Sequence, residues 1–377
     1  MAELSGRSAP RRWLAFVASE PVLSILVVAL VALQVARPQP VAALARLVDW
    51  QTVATLAGLL MVTKALEMSG FLMWLAHRIV QHVRTERSLA MLLIVFAAVL
   101  ATWLTNDVAL FVAVPLVVSL QKLAPLPFKR LVICLAIAVN AGSIATPLGN
   151  PQNLFLWQRS GASFGRFILE LGPLALMTMA MLLLLAACWF RSKPLDFSGD
   201  REPHPVRRPL AIAAALLFAG FVAAADAHYA VPGVIVVAVM LGVLRREAVL
   251  RIDWLLLLIF VLMFVVLRGA AALPAVHDTL ARLGLDAPLR LYTAGAVLSQ
   301  GISNVPAAIL LSEFSGDWRA LAFGVSVGGF GFAIGSLANL IAVRLAKTRG
   351  IWLPFHLVCV PFGLAAFAAG GAWLRWF

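Results

Sequence analysis

Charge is scarce in this sequence: 12% of its 377 residues are Asp, Glu, Lys or Arg, while 62% are hydrophobic. A chain of that balance cannot hide its apolar surface in one water-soluble core, so a membrane protein is the class that remains. Cysteine is rarer still. Cys134, Cys188 and Cys359 fall in separate apolar runs, which reads as helix packing and not as a disulfide or metal framework. No HExxH motif occurs, and His77, His82, His204, His228, His277 and His356 are scattered, mostly near the ends of apolar runs. There is no ATP-binding motif, so pumping would need a separate ATPase subunit. The chain reads as a non-enzyme without a cofactor.

What is present is a succession of apolar runs of roughly 17 to 25 residues, the length that repeated helical crossings of a bilayer require. The longest polar stretch, 191–208, is Pro-rich and charged, and reads as a cytoplasmic linker between halves. The net charge of +13 might suggest a nucleic-acid partner in a soluble protein. In a membrane protein it first reports orientation. With the N-terminus placed inside, the larger share of Lys and Arg falls on inner segments, Arg7, Arg11 and Arg12 included. The expectation is an integral protein of a bacterial inner membrane, N-terminus cytoplasmic and C-terminus external, with no nucleic acid involved. No convincing cleavage site follows the first basic cluster, so the first helix reads as retained.

The polar interruptions come in an order that recurs. Thr105-Asn106-Asp107 breaks the apolar stretch 89–123, and 128–158 is then interrupted at Thr146-Pro147-Leu148-Gly149-Asn150-Pro151-Gln152-Asn153. Later, Ser303-Asn304-Val305 breaks 289–314, and Gly335-Ser336-Leu337-Ala338-Asn339 breaks 321–346. Asp49-Trp50 and Asp253-Trp254 each open an apolar run, and Lys64 and Arg268 stand at the same offset after those aspartates. Between the two openings lies an odd number of crossings, starting near 49, 128, 168, 210 and 230, which puts the copies in opposite orientation. The expected fold is an all-α polytopic membrane protein of two inverted repeats, each with a re-entrant helical hairpin and a broken transmembrane helix. The boundaries are 1–190 for the N-terminal repeat, 191–208 for the linker, and 209–377 for a linker helix and the C-terminal repeat. Basic residues at both outer ends of 89–123 favour a hairpin over two ordinary crossings, which stay an alternative. An amphipathic stretch, 74–87, is expected along the inner surface.

A helix that stops inside a bilayer leaves amides open at its start and carbonyls open at its end, so a tip facing a break suits an anion and a cation together. Asn106, Asn153, Asn304 and Asn339 supply amide groups, and Thr105, Ser143, Thr146, Ser303 and Ser336 add hydroxyls; these are hard oxygen ligands appropriate to Na⁺. Isolated Ser and Thr more often glue helices together, and Thr102, Ser119 and Ser326 are read that way. Asp107 either binds a cation, carries a proton, caps the following helix or pairs with a base such as Lys64, which has Glu67 as a rival partner.

These motifs resemble the ion transporter superfamily, which includes divalent anion/sodium symporters and arsenite permeases; the likeness rests on the Ser-Asn-Thr-type tips and the T-P-x-G-x-P-x-N break, here Thr146 to Asn153. That resemblance implies a secondary active transporter of a small anion or oxyacid, coupled to Na⁺ or H⁺ by elevator-like alternating access, usually as a homodimer in the lipid bilayer. It implies that Thr105, Asn106, Gly149 and Asn150 contribute to one cation site and the solute pocket, and Ser303, Asn304, Gly335 and Ser336 to the symmetry-related ones. Together with the polar residues read at the breaks, the expected solute pocket is Thr105, Asn106, Asp107, Asn150, Asn153, Ser303, Asn304, Ser336 and Asn339, and the expected cation contacts are Asn106, Ser143, Thr146, Gly149, Asn304 and Gly335. Asp107 and Val305 stand where threonines are usual, and the second break lacks the prolines of the first. A carboxylate there would repel a dicarboxylate, so Thr-Asn-Asp leans toward the arsenite permease side. A cation/proton antiporter using Asp107 is the other transport reading.

Overall fold

The computed structural model describes residues 20–80, 83–195 and 205–376. The basic N-terminal cluster, His82, His204 and the middle of the polar linker lie outside the described residues. The described residues are almost wholly helical. The first half contains α1 (Pro21–Ala36), α2 (Val41–Arg46), α3 (Trp50–Met68), α4 (Phe71–Val80), α5 (Glu86–Trp103), α6 (Asn106–Gln121), α7 (Phe128–Ser143), α8 (Pro151–Ser160) and α9 (Phe164–Trp189). After α10 (Arg208–Asp226), the same succession returns as α11 (Ala230–Arg245), α12 (Glu247–Leu250), α13 (Trp254–Ala271), α14 (Pro274–Ala281), α15 (Pro288–Ile302), α16 (Asn304–Leu311), α17 (Trp318–Gly328), α18 (Leu337–Ala346) and α19 (Trp352–Trp376).

The two series share local chemistry as well as order. Asp49 and Asp253 cap α3 and α13, accepting from Thr52 N at 3.0 Å and Leu256 N at 2.9 Å. Each aspartate satisfies one of the amides that a helix start leaves open. The indoles that follow donate back to the short preceding helix, Trp50 to Ala45 O at 3.1 Å and Trp254 to Leu250 O at 3.3 Å. Pro173 and Pro361 lie at the same place inside α9 and α19.

Packing crosses between the series. The lead helix α1 lies on α13, and α11 lies on α3; likewise α6 lies on α18, and α16 on α8. The broken helices form the dry centre, where almost every residue of α7 and of α17 is buried. By contrast α10 and α11 carry exposed apolar residues such as Leu216, Ile235, Val239 and Val243, an outer face suited to lipid. Five described helices, α5, α9, α10, α13 and α19, are long and apolar enough to cross a membrane, and the pair α3–α4, bent by 60°, makes a sixth if taken together.

Several expected boundaries shift. The amphipathic stretch 74–87 is divided: α4 is described as far as Val80, residues 83 and 84 lie outside any helix, and α5 begins at Glu86, where Thr85 and Ser88 form a capping box. The helix expected to reach Ile334 stops at Gly328, and Ile334 belongs to a 3₁₀ turn, Ala333–Gly335. Gly331, at φ +95, turns the chain there in a conformation that side chains disfavour.

Candidate functional site

The first break is held by its own asparagines. Ser143 ends α7, and two prolines with a glycine prevent the helix from continuing, which leaves carbonyls without amide partners. Asn150 Nδ2 donates to Ser143 O at 3.1 Å and to Ser143 Oγ at 3.0 Å, while its Oδ1 caps α8 by accepting from Asn153 N at 2.9 Å. Asn153 Nδ2 covers Ser143 O at 3.2 Å and Ile144 O at 3.3 Å. Thr146 Oγ1 donates to Thr102 O, and Asn106 N donates to Gly149 O at 2.9 Å, so the Thr105-Asn106-Asp107 tip docks on the break. A Cβ on Gly149 would lie 2.4 Å from Ser143 O and 2.7 Å from Ala101 O; only glycine admits this approach.

The second break repeats the arrangement with different residues. Asn339 Nδ2 covers Gly329 O at 2.9 Å and Phe332 O at 3.4 Å, as Asn153 does in the first. Ser336 caps α18 through Ala338 N at 3.3 Å, and a Cβ on Gly335 would lie 2.5 Å from Gly328 O. Gln300 does here what Thr102 does in the first series: its Nε2 donates to Gly328 O at 2.6 Å, where Thr102 Oγ1 donates to Gly142 O at 2.9 Å. Ser303, between α15 and α16, has φ +73 and ψ 157, a region that side chains rarely enter and that costs of order 1–3 kcal/mol. Its hydroxyl lies 3.4 Å from Asn304 Oδ1.

The breaks meet through Asn140, a residue of α7 that the sequence did not single out. Asn140 Nδ2 donates to Asn339 Oδ1 at 2.8 Å across the two series. A Cβ on Gly329 would fall 3.2 Å from Asn304 Nδ2 and 3.5 Å from Asn140 Oδ1, so the second tip, the second break and α7 crowd into one place. No hydrogen bond joins Asn106 to Asn304 among the described residues; the first tip meets the first break instead. Gln300 was missed as well. Its signal was its place three residues before the tip serine, where Thr102 stands before Thr105.

Two readings of Asp107 are corrected. Lys64 Nζ lies 3.0 Å from Glu67 on its own helix and is not its partner. Thr105, not Asp107, occupies the N-cap of α6, and Asp107 stands in the first turn, where the helix dipole favours an acid. Its Oδ1 is buried and has no hydrogen-bond partner among the described residues, and neither have Asn106 Oδ1, Asn153 Oδ1 and Ser326 Oγ. The interhelical bond expected of Ser326 is therefore absent, while Thr102 does make one. Unpartnered oxygens of this kind fit a hard cation or a hydrogen-bond donor. No lysine or arginine is fully buried among the described residues. Beyond the C-terminal end of α16, Glu313 holds Arg159 at 3.0 Å and Arg268 at 3.2 Å, and Arg268 also donates to Leu47 O at 2.7 Å.

The sequence has relatives that match this architecture over most of its length. Inner membrane protein YbiR of Escherichia coli is 42% identical over 323 residues, 86% of this chain and 87% of that protein. An uncharacterized transporter of Methanocaldococcus jannaschii is 30% identical over 308 residues, 80% of this chain and 82% of the relative. Silicon efflux transporter LSI3 of Oryza sativa is 33% identical over 161 residues, 42% of this chain and 32% of the rice protein. The citrate transporter profile CitMHS matches residues 13–315. With a profile that spans most of the chain and two long relatives, one named an inner membrane protein and the other a transporter, this polytopic helical chain belongs to the CitMHS citrate transporter family.

Proposed function

We propose that this chain is a secondary active transporter of a small anion or oxyacid, driven by Na⁺ or H⁺. It works by alternating access of two inverted repeats, 1–190 and 209–377, whose re-entrant hairpins end at Thr105-Asn106-Asp107 and Ser303-Asn304-Val305. Asn106, Ser143, Thr146, Gly149, Asn304 and Gly335 hold the coupling cation. Thr105, Asp107, Asn150, Asn153, Ser303, Ser336 and Asn339, with both tip asparagines, surround the solute. The protein works as a homodimer in the inner membrane, N-terminus cytoplasmic and C-terminus external.

The observation that carries this reading is the crosswise packing of α6 on α18 and α16 on α8, which gathers four interruptions around buried side-chain oxygens without partners. Buried polar groups at membrane depth are costly unless something satisfies them, so unpartnered oxygens at the first tip, the first break and α17 support a transported species there.

One specific observation favours a weak oxyacid over a tricarboxylate. At the first tip, the first break and α17, the orphaned side-chain atoms are Asn106 Oδ1, Asp107 Oδ1, Asn153 Oδ1 and Ser326 Oγ, acceptor oxygens and one hydroxyl, and the fully buried polar residues include no lysine or arginine. A multiply charged anion would face unpaired oxygens, whereas a protonated oxyacid donates to them. The name of the rice relative, a silicon efflux transporter, agrees with that direction.

The test is uptake into proteoliposomes over citrate, succinate, phosphate, arsenite and silicate, with Na⁺ and pH gradients imposed separately. Gradient-dependent, saturable flux of at least one of them is expected, and Asn106→Ala and Asn304→Ala should each abolish it in folded protein. Normal flux in both variants would remove the proposed site.

A further inference from the structure

The two series place equivalent residues at two contacts between broken helices. At the first, α7 meets α18, and Asn140 Nδ2 donates to Asn339 Oδ1 at 2.8 Å. At the second, α17 meets α8. Ser326 precedes Gly328 as Asn140 precedes Gly142, and Asn153 follows Gly149 as Asn339 follows Gly335.

The bond is not repeated at the second contact. Asn153 is 0% exposed and Ser326 is 3% exposed, yet Asn153 Oδ1 and Ser326 Oγ have no hydrogen-bond partner among the described residues. Serine is shorter than asparagine and carries no amide to reach across. The Asn153 amide nitrogen is already committed to Ser143 O and Ile144 O, which leaves its buried oxygen as the acceptor without a partner. A buried acceptor and a buried hydroxyl, both left open where the matched pair closes, call for a group that donates to one and exchanges a hydrogen bond with the other.

We propose that Asn153 Oδ1 and Ser326 Oγ form the contact that selects the solute, by binding one of its hydroxyl groups. Asn140 and Asn339 are the closed counterpart and hold the breaks together. The matched contacts differ by Asn140 against Ser326, so only the second is open to a solute hydroxyl, while Asn339, bonded to Asn140, borders the solute without binding that group. This inference rests on the transporter reading above and narrows its substrate class to a hydroxyl-bearing solute.

The discriminating variant is Ser326→Asn, which supplies the amide that Asn140 supplies at the closed contact. Solute binding is read as the thermal shift that arsenous acid or orthosilicic acid gives the purified full chain, and transport as uptake of the same compounds into proteoliposomes. Wild-type protein should be stabilised and active. Ser326→Asn should stay folded, with an unliganded Tm at or above wild type, and lose roughly tenfold or more in solute affinity and uptake. Ser326→Ala should raise KM for the solute with an unchanged dependence on the coupling ion, and Ser326→Thr should keep both near wild type. Equal solute shifts and uptake in wild type and Ser326→Asn overturn this inference and leave the transporter reading standing. A Ser326→Ala effect confined to the Na⁺ or H⁺ dependence also overturns it. Wild-type protein that neither binds nor moves these hydroxyl-bearing solutes overturns it too, and the transporter reading then stands or falls on the other solutes of the panel.

Discussion

Asn140 and Asn339 lie far apart in sequence and are joined by a 2.8 Å hydrogen bond at the centre of the molecule. Asn140 Nδ2 also reaches Ala136 O on its own helix at 3.0 Å, and Asn339 Nδ2 holds Gly329 O at 2.9 Å. One amide therefore ties the intact part of one broken helix to the open carbonyls of the other.

Removing Asn140 leaves Asn339 Oδ1 buried with no donor, a loss of about 1–3 kcal/mol. Asn140→Ala should lower the unliganded Tm of the detergent-purified protein, and Asn339→Ala should lower it further because Gly329 O loses its side-chain donor as well. Equal stability of wild type and Asn140→Ala would show that the bond is not formed.

Gly149 is placed against backbone, with a Cβ position 2.4 Å from Ser143 O, whereas Gly172 has nothing within 4 Å of such an atom. Gly149→Ala should disrupt the first break and abolish flux, with loss of monodisperse protein on size exclusion. Gly172→Ala should match wild type in both. A wild-type-like Gly149→Ala would mean that the break closes differently.

Asp107 has a buried, unpartnered Oδ1 in the first turn after the tip. If it carries the coupling proton, Asp107→Asn mimics the protonated acid, and uptake measured from pH 5 to 8 should become flat while solute affinity at low pH is kept. A pH profile parallel to that of wild type would assign the proton elsewhere.

Glu313 is shared by Arg159 and Arg268, whose side chains are 40% and 14% exposed. The more buried guanidinium should depend on it more, since solvent screens an exposed pair. Glu313→Gln should therefore lower Tm, and a double-mutant cycle should give a larger coupling with Arg268 than with Arg159, on the order of 0.5–3 kcal/mol. A coupling with Arg268 near zero would place that arginine's stabilisation in its bond to Leu47 O.

The sequence by itself determined the class and the order of the parts. Apolar runs of roughly 17 to 25 residues require helices, because in lipid the backbone satisfies itself only in a helix or a closed barrel, and barrel strands are shorter and alternate apolar with polar. Prolines, glycines and polar triplets inside those runs mark where the helices stop, so Asn106, Gly149 and Asn304 were legible from local chemistry alone, whereas the second broken helix stops at Gly328, before the Gly335 break that the pattern marked. Asp49 and Asp253 announced two helix starts for the same reason.

Only the tertiary structure decided which polar groups face one another. In sequence, Asn140 and Ser326 look like single polar residues of apolar helices, since nothing local tells a side chain that bonds its own turn from one that spans to another helix. Asn140 meets Asn339 because α7 crosses α18, and Ser326 stays open because its shorter side chain makes no bond to Asn153 Oδ1 on α8, which is open as well. Likewise Lys64 and Arg268 match in sequence, yet the lysine turns to Glu67 on its own helix and the arginine reaches Glu313 on another segment. Partner choice depends on distances through space, which a linear pattern does not encode.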